Sequence, residues 1–511
     1  MAVTLYFLLR MSTAAFIDLF SRLVEDRDKD RALFLKRLLD DATGSAEEKD
    51  ALRHVEKLPE VLVEMLEASD VMSPRVAADV VTNLCSASVT WHPESDASSE
   101  VSEEVDEEAQ EAHCVRFRNV LVSAGIMAPL SKLIRERCAD EVATDAALAL
   151  GHICQCPGDA DGANRAPPPG LSEFVVHEGP WVAAREAGAS EPLVALLRMG
   201  LEAADPSKVS YAALALGNLA CNEIVRAAII SAGGVAALAA ALHTAREGKD
   251  DDEEEGEEEE GEDEGDLPHR RAADALAKLV LSDVAQRAAC ESGAVPWLVA
   301  MARSRSELVQ SASADALAAL TSLQLPDVCA CIRVASGIAP LVDLLLDPLA
   351  TPFDSAAAAI ANLCTDEESV PMIVQAGASS RLLHACPTCN GAALDALANL
   401  AAAAGDDLVS HGAVGVLLSA LSVELGIGAL SSVTLNHRAK CIATILSNLV
   451  CTPVGANAVV AGDGIRILRM AGDEGEAALR NLQDHATDSR ATRLLEQSKT
   501  KAQQPKKRRR T

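Results

Sequence analysis

Closely spaced cysteine pairs are the first groups in this sequence whose spacing could do chemistry. Cys386-Pro-Thr-Cys389, with His384 just before it, has half the spacing of a zinc site; Cys154-Gln-Cys156 and Cys329-Ala-Cys331 are weaker versions. No second Cys/His pair at matching spacing completes a ligand set, so core thiols are the better reading and no cofactor is expected. The sequence carries no phosphate loop, dinucleotide-binding glycine pattern or nucleophile elbow, and its histidines are dispersed. An enzyme is not expected, although a triad of distant residues would leave no local mark.

The second set of chemically useful residues is a series of Asn and Asp side chains, and its meaning depends on the elements that carry it. Eight segments begin with a small residue or His, then Gly, then an apolar helix: Gly125, Gly188, Gly233, Gly293, Gly337, Gly377, Gly412 and Gly462 mark them. Gly ends one helix where the chain needs a left-handed or tight turn, and the next helix follows at once. An Ala/Leu helix ending in Asn-Leu or an equivalent recurs at Asn83, His152, Asn218, Lys278, Ala319, Asn362, Asn399 and Asn448. Successive steps are 69, 66, 60, 41, 43, 37 and 49 residues. Removing three inserts, 93–112, 156–180 and 249–266, returns the long steps to about forty, the period of armadillo and HEAT arrays. The interval from Asn218 to Gly233 is 15 residues, as it is from Lys278 to Gly293 and from Asn362 to Gly377. Between each Asn and the next Gly lies a short polar-led helix, so every unit has three helices.

This three-helix unit, with its Gly corner and terminal Asn, resembles the armadillo repeat over residues 58–485. HEAT units, with two helices and neither signature, are second choice. The resemblance implies an all-α, right-handed superhelical armadillo-repeat solenoid of about eight or nine repeats, with a concave groove lined by the third helices. It also implies that Asn83, Asn218, Asn362, Asn399 and Asn448 bind the backbone of an extended peptide, since an amide offers both donor and acceptor. The bland alternative is that each Asn caps or braces its own repeat.

Four places earlier, on the same helix face, stand Asp79, Leu148, Leu214, Asp274, Asp315, Ala358, Asp395 and Thr444. Importin-α proteins place Trp there. Here Trp91, Trp181 and Trp297 all lie elsewhere, which argues against a conventional importin-α. If Asp79, Asp274, Asp315 and Asp395 face the groove, they form an acidic ladder suited to Lys/Arg-rich ligands, with Tyr211 as a further candidate contact. The alternative is four solvated helix carboxylates without a partner.

Composition agrees with a helical chain. Of 511 residues, 49% are apolar but only 2% aromatic, and much of the apolar content is Ala, the best helix former. The length is too great for one compact core. The net charge of −31 is mostly local: residues 94–111 hold nine acidic side chains and 250–266 hold fourteen, leaving −8 for the rest. The run at 250–266 cannot build a core and is expected to be a disordered acidic loop. Fourteen scattered cysteines read as reduced thiols of the cytosol or nucleus. No run approaches the length of a membrane span. Two readings of Ala2–Leu9 stay open, a weak signal peptide or sequence upstream of a true start at Met11; position 2 is not Gly, so the myristoylation signal is absent.

The expected organisation is an N-terminal helical cap at 1–57, the solenoid at 58–485 and a basic tail at 486–511. Lys506, Lys507, Arg508, Arg509 and Arg510 resemble a nuclear localisation signal for an importin-type receptor; the alternatives are a tail that sticks to polyanions or pairs with the chain's own acidic loop. The leading functional expectation is a scaffold or adaptor in nucleus or cytoplasm, holding an extended and basic segment of another protein. A nuclear-transport adaptor and a substrate-docking or regulatory subunit of a larger complex are the alternatives, and no direct nucleic-acid site is evident.

Overall fold

A computed structural model describes residues 53–54, 57–70, 72–85, 107–155, 179–243, 266–388, 391–428, 437–462 and 464–485. Most of the expected cap, the bulk of the three inserts, Cys156, Cys389 and the basic tail lie outside the described residues. Among the described residues there are 25 helices and no strand. They fall into two compact units, one ending at Leu279 and the other starting at Val280.

The first unit opens with a helix pair, α1 (Leu58–Leu66) and α2 (Met72–Cys85). Three triplets follow: α3 (Glu107–Ser123), α4 (Met127–Glu136) and α5 (Glu141–Ile153); α6 (Gly179–Glu186), α7 (Ser190–Glu202) and α8 (Pro206–Leu219); α9 (Glu223–Ser231), α10 (Gly234–His243) and α11 (Leu267–Leu279). Helix α3 starts at Glu107, inside the span expected to be an insert. The third helices α2, α5, α8 and α11 pack in succession.

The second unit begins with α12 (Asp283–Glu291), α13 (Ala294–Met301) and α14 (Glu307–Thr321), then α15 (Pro326–Val334), α16 (Ile338–Asp343) and α17 (Phe353–Leu363). Next come α18 (Val370–Gln375), α19 (Ala378–Ala385) and α20 (Ala392–Ser410). Helix α20 is two elements in one: Ala404 leaves helical geometry (φ −142°, ψ 42°), dividing a third helix from the first helix of the next repeat. At three other such joints a side chain caps the new helix. Asn222 accepts from the amides of Ile224 and Val225, Ser282 from Ala285 and Thr452 from Gly455. No such residue stands at Ala404, and the helix runs on through a kink. The unit ends with α21 (Ala413–Gly428), α22 (His437–Leu449), α23 (Pro453–Ala461), α24 (Gly464–Met470) and α25 (Gly472–His485).

Left-handed backbone turns the first helix into the second. Gly125, Gly188, Gly233, Gly293, Gly377 and Gly412 have φ between +65° and +87°. One corner departs from expectation: Ser336 takes the left-handed position (φ +56°), and Gly337 has φ −78°. Space explains Gly337 instead, because a Cβ there would lie 2.8 Å from Val299 and 2.9 Å from Ile332. The eighth copy also departs, with Gly462 at φ −85°. Helix pairs across three corners bend by 75°, 71° and 108°. Among the described residues no single helix is long and apolar enough to cross a membrane.

The core runs between helices of each repeat and between neighbouring repeats. Leu62, Leu84, Leu121, Ile126, Leu130 and Ile134 are fully buried in the first unit, each burial contributing about 1.5–3 kcal/mol. Small residues set how closely third helices approach. A Cβ built on Gly151 would lie 3.3 Å from the Ala215 Cα, and one on Gly217 only 3.1 Å from the Ala275 Cα. That closeness lets a side chain as short as Asn reach the backbone of the preceding helix.

Candidate functional site

The Asn series forms a ladder of inter-repeat hydrogen bonds with one register. Asn218 Nδ2 donates to the Gly151 carbonyl at 3.0 Å, and Gly151 immediately precedes the equivalent ladder residue, His152. Asn399 donates to Ala361 at 2.8 Å and Asn448 to Ala398 at 2.9 Å, each again one residue before the previous Asn. Asn362 reaches Thr321 Oγ1 at 3.2 Å and the Ala318 carbonyl at 3.5 Å. A further rung, Asn481, lies beyond the sequence-derived series and donates to the Ser447 carbonyl at 3.2 Å and hydroxyl at 3.0 Å. Asn83, in the first described third helix, instead bonds the Asp79 carbonyl of its own helix.

All of these bonds are made by Nδ2 of the amide. No described group donates to Oδ1 of Asn362, Asn399, Asn448 or Asn481, all of which are half-buried. Asn218 differs: it is only 4% exposed, and Trp181 Nε1 donates to its backbone carbonyl at 2.9 Å. Its amide makes the same brace but is buried, whereas the other four keep exposed surface. The sequence alternative placed each brace within one repeat; five of the six amides tie a repeat to the one before it.

The ladder positions without Asn behave differently. His152 keeps some exposed surface, but its Nδ1 is enclosed with no hydrogen-bond partner. Burial, reinforced by the positive charges of Arg118 and Arg271, pushes its pKa down to about 4.

The four aspartates all lie on third helices, with Asp79, Asp274 and Asp315 half-buried and Asp395 exposed. They do not stand alone. Residues a further turn back also meet between adjacent repeats. Arg75 Nε pairs with Asp145 at 3.1 Å and its Nη1 with Glu141 at 2.6 Å, with the Asp79 charge close by. The Arg271 guanidinium lies 5.3 Å from the Tyr211 ring centroid and donates to Ser210 Oγ at 2.9 Å. In the second unit the Ser355 hydroxyl donates to Asp315 Oδ1. The face is therefore mixed in charge. The cations stand seven or eight residues before the ladder position, a turn beyond the aspartates.

Seven residues before several of the corner glycines stands a second set of polar groups that the sequence reading missed. Arg118 donates to the carbonyls of Cys85 and Gln155, at the ends of two successive third helices. Arg226 does the same for Ala220 and Lys278, and Trp181 serves Asn218. Gln286, with 0% exposure, donates to Val280 at 3.2 Å and Ala319 at 2.9 Å. Each satisfies carbonyls that a helix C-terminus leaves without an intrahelical partner. Their fixed offset from the corner glycine is a signal, but one of place and not of residue type.

Among the described residues no group of three or more His, Cys, Asp or Glu side chains is arranged to hold a metal ion. Cys386 is buried, while its motif partner Cys389 lies outside the described residues.

No protein-family pattern matches the chain, and no curated protein matches it. Solved structures do. An engineered protein from the Northeast Structural Genomics Consortium is 25% identical with a TM-score of 0.67, over 93% of this chain and 99% of that one. The chain is an all-α repeat solenoid. A second engineered protein from the same consortium is 25% identical, with a TM-score of 0.41 over 50% of this chain and 98% of that one. A designed armadillo repeat protein is 20% identical, with a TM-score of 0.42 over 60% of this chain and 99% of that one. In this solenoid the repeated third helices gather the Asn and Asp residues, while the first helices carry the groups that tie their ends together.

Proposed function

We propose that the solenoid is a protein-binding scaffold whose third-helix face holds an extended segment of another protein. The observation that carries this reading is the row of amide oxygens on Asn362, Asn399, Asn448 and Asn481, half-buried and without a donor among the described residues. An acceptor repeated at one register suits the backbone N–H groups of an extended chain. Packed helices lie about 8–10 Å apart and an extended chain rises about 3.3 Å per residue, so one repeat matches roughly two to three ligand residues. The brace fixes each amide before any ligand arrives, which lowers the ordering cost of binding.

Charge selects the ligand. Asp315 and Asp395 stand one helical turn from the ladder in the second unit, and Asp274 does so in the first, so Lys or Arg side chains flanking the bound backbone find carboxylates. The test is fluorescence anisotropy of the full chain with labelled extended peptides, one Lys/Arg-rich and one Asp/Glu-rich. The basic peptide is expected to bind more tightly, and D274N/D315N/D395N to weaken it several-fold with a shallower salt dependence. Equal affinity of the triple variant at low salt would remove the acidic contribution. Absence of binding by either peptide would remove the scaffold reading.

A further inference from the structure

We propose that Cys290 and Cys331 form a dithiol modification site, at which a low-molecular-weight disulfide drives an intramolecular disulfide that staples two adjacent repeats. The site lies on first helices, away from the Asn ladder, and is independent of the peptide-binding reading.

Geometry brings the two sulfurs together. Cys290 sits in the last turn of α12 and Cys331 in α15, the first helix of the next repeat. One turn earlier on both helices, Arg287 Nε bonds Asp327 Oδ2 at 2.7 Å, which fixes their relative register. In that register the two thiols lie near enough to act on each other's charge. Both residues are half-buried, so a small reagent reaches them. Cys329 is two residues from Cys331, on another face of the helix, and is buried.

The pair is chemically distinct from the other thiols. Interaction with Cys290 lowers Cys331, which favours its thiolate near neutral pH. The same interaction pushes Cys290 up, with burial and the negative charge of Cys331 adding to the effect. Burial pushes Cys364 up to about 12, which keeps it unreactive.

With glutathione disulfide as oxidant, the steps balance. The Cys331 thiolate attacks one sulfur of the reagent, forming a mixed disulfide and releasing one glutathione thiolate, which takes a proton from water. Capping Cys331 removes its negative charge, so Cys290 loses its proton more readily. The Cys290 thiolate then attacks the Cys331 sulfur, forming the protein disulfide and expelling the second glutathione. Two protein thiols are oxidised, and one glutathione disulfide becomes two glutathione thiols.

The test treats the full chain with glutathione disulfide at neutral pH, quenches with N-ethylmaleimide and analyses a non-reduced tryptic digest by mass spectrometry. The expected product joins the peptide 288–303 to the peptide 306–333, with fragment ions placing the link on Cys331 and not Cys329. It should form at least tenfold faster than any other cysteine pairing. C290S should leave Cys331 carrying glutathione, and C331S should yield no disulfide-linked peptide containing Cys290; circular dichroism checks that both variants remain helical. Recovery of both residues alkylated in the wild-type chain while other thiols have reacted would overturn the proposal. So would a persistent Cys331 mixed disulfide in the wild-type chain, a result that needs no variant to fold.

Discussion

The side-chain nitrogen of Asn399 stands 2.8 Å from the carbonyl oxygen of Ala361, a residue in the preceding third helix. Asn448 stands in the same relation to Ala398, and Asn481 to Ser447. Each bond takes one N–H from a half-buried amide and one carbonyl from a neighbouring helix.

Replacing Asn399 by Ala should therefore lower the stability of the second unit by about 1–2 kcal/mol, the net worth of such a bond plus the unpaired carbonyl. N399D should cost more, since it sets a carboxylate against the Ala361 oxygen. Urea unfolding followed by the fluorescence of Trp297, the one tryptophan beyond Val280, reads both effects. An unchanged midpoint for N399A would show that the bond contributes nothing.

His152 makes a pH prediction with a definite sign. Its pKa is lowered in the folded chain to about 4 from an ordinary value of 6.5, so between those values the unfolded chain binds more protons. The stabilising effect of the neutral ring is complete above pH 6.5 and is lost as pH falls through 4, about 3 kcal/mol in all. H152N places at this rung the residue found at most others and should flatten the stability profile of the first unit across that window. A profile as steep as wild type would mean that other groups dominate the acid response.

Ser336 occupies the left-handed corner that Gly fills at six other sites. A side chain in that conformation costs about 1–2 kcal/mol, partly offset by the greater freedom of Gly in the unfolded chain. S336G should raise stability by roughly 0.5–1 kcal/mol, read as a higher urea midpoint for the second unit. A lower midpoint would show that the Ser conformation is unstrained.

Gln286 should prove the least replaceable polar residue of the second unit. Q286L keeps a similar volume but leaves the carbonyls of Val280 and Ala319 without the donor that reaches them. The expected loss is about 2–3 kcal/mol, with faster amide exchange at the start of α12. A neutral Q286L would show that water reaches those carbonyls.

Much of the fold was legible because two of its requirements demand particular residue types. Left-handed corners demand Gly, and close third helices demand Ala and Gly; both leave a periodic trace. The exception at Ser336 shows the limit, since Gly337 is needed for space and stood in for its neighbour. The Asn rungs were visible, but their direction of bonding was not. Whether Nδ2 turns to a ligand or to the helix behind depends on an interhelix distance that no spacing encodes. Asn481 carries the same Asn-Leu signature and escaped notice because it follows Asn448 by 33 residues, short of the forty-residue step. The clamps at Arg118, Trp181, Arg226 and Gln286 left no compositional trace, since a guanidinium, an indole and an amide fill the same post. The aspartates are legible one turn before the ladder position, whereas the cations beside them stand two turns before it, where no residue type recurs from one repeat to the next.

The Asn rungs between repeats all point the same way. Every donor belongs to the later repeat and every acceptor to the earlier one, and each rung includes a carbonyl already fixed in a helix. A chain leaving the ribosome can thus lay each new repeat onto a finished platform, closing one rung as the Asn emerges and waiting for nothing downstream. Cut between two rungs, the two ends are unlike: the N-terminal fragment loses only a guest on a carbonyl, while the C-terminal fragment begins with an amide that has lost its anchor. Shortening the array from its C-terminal end should be the gentler operation.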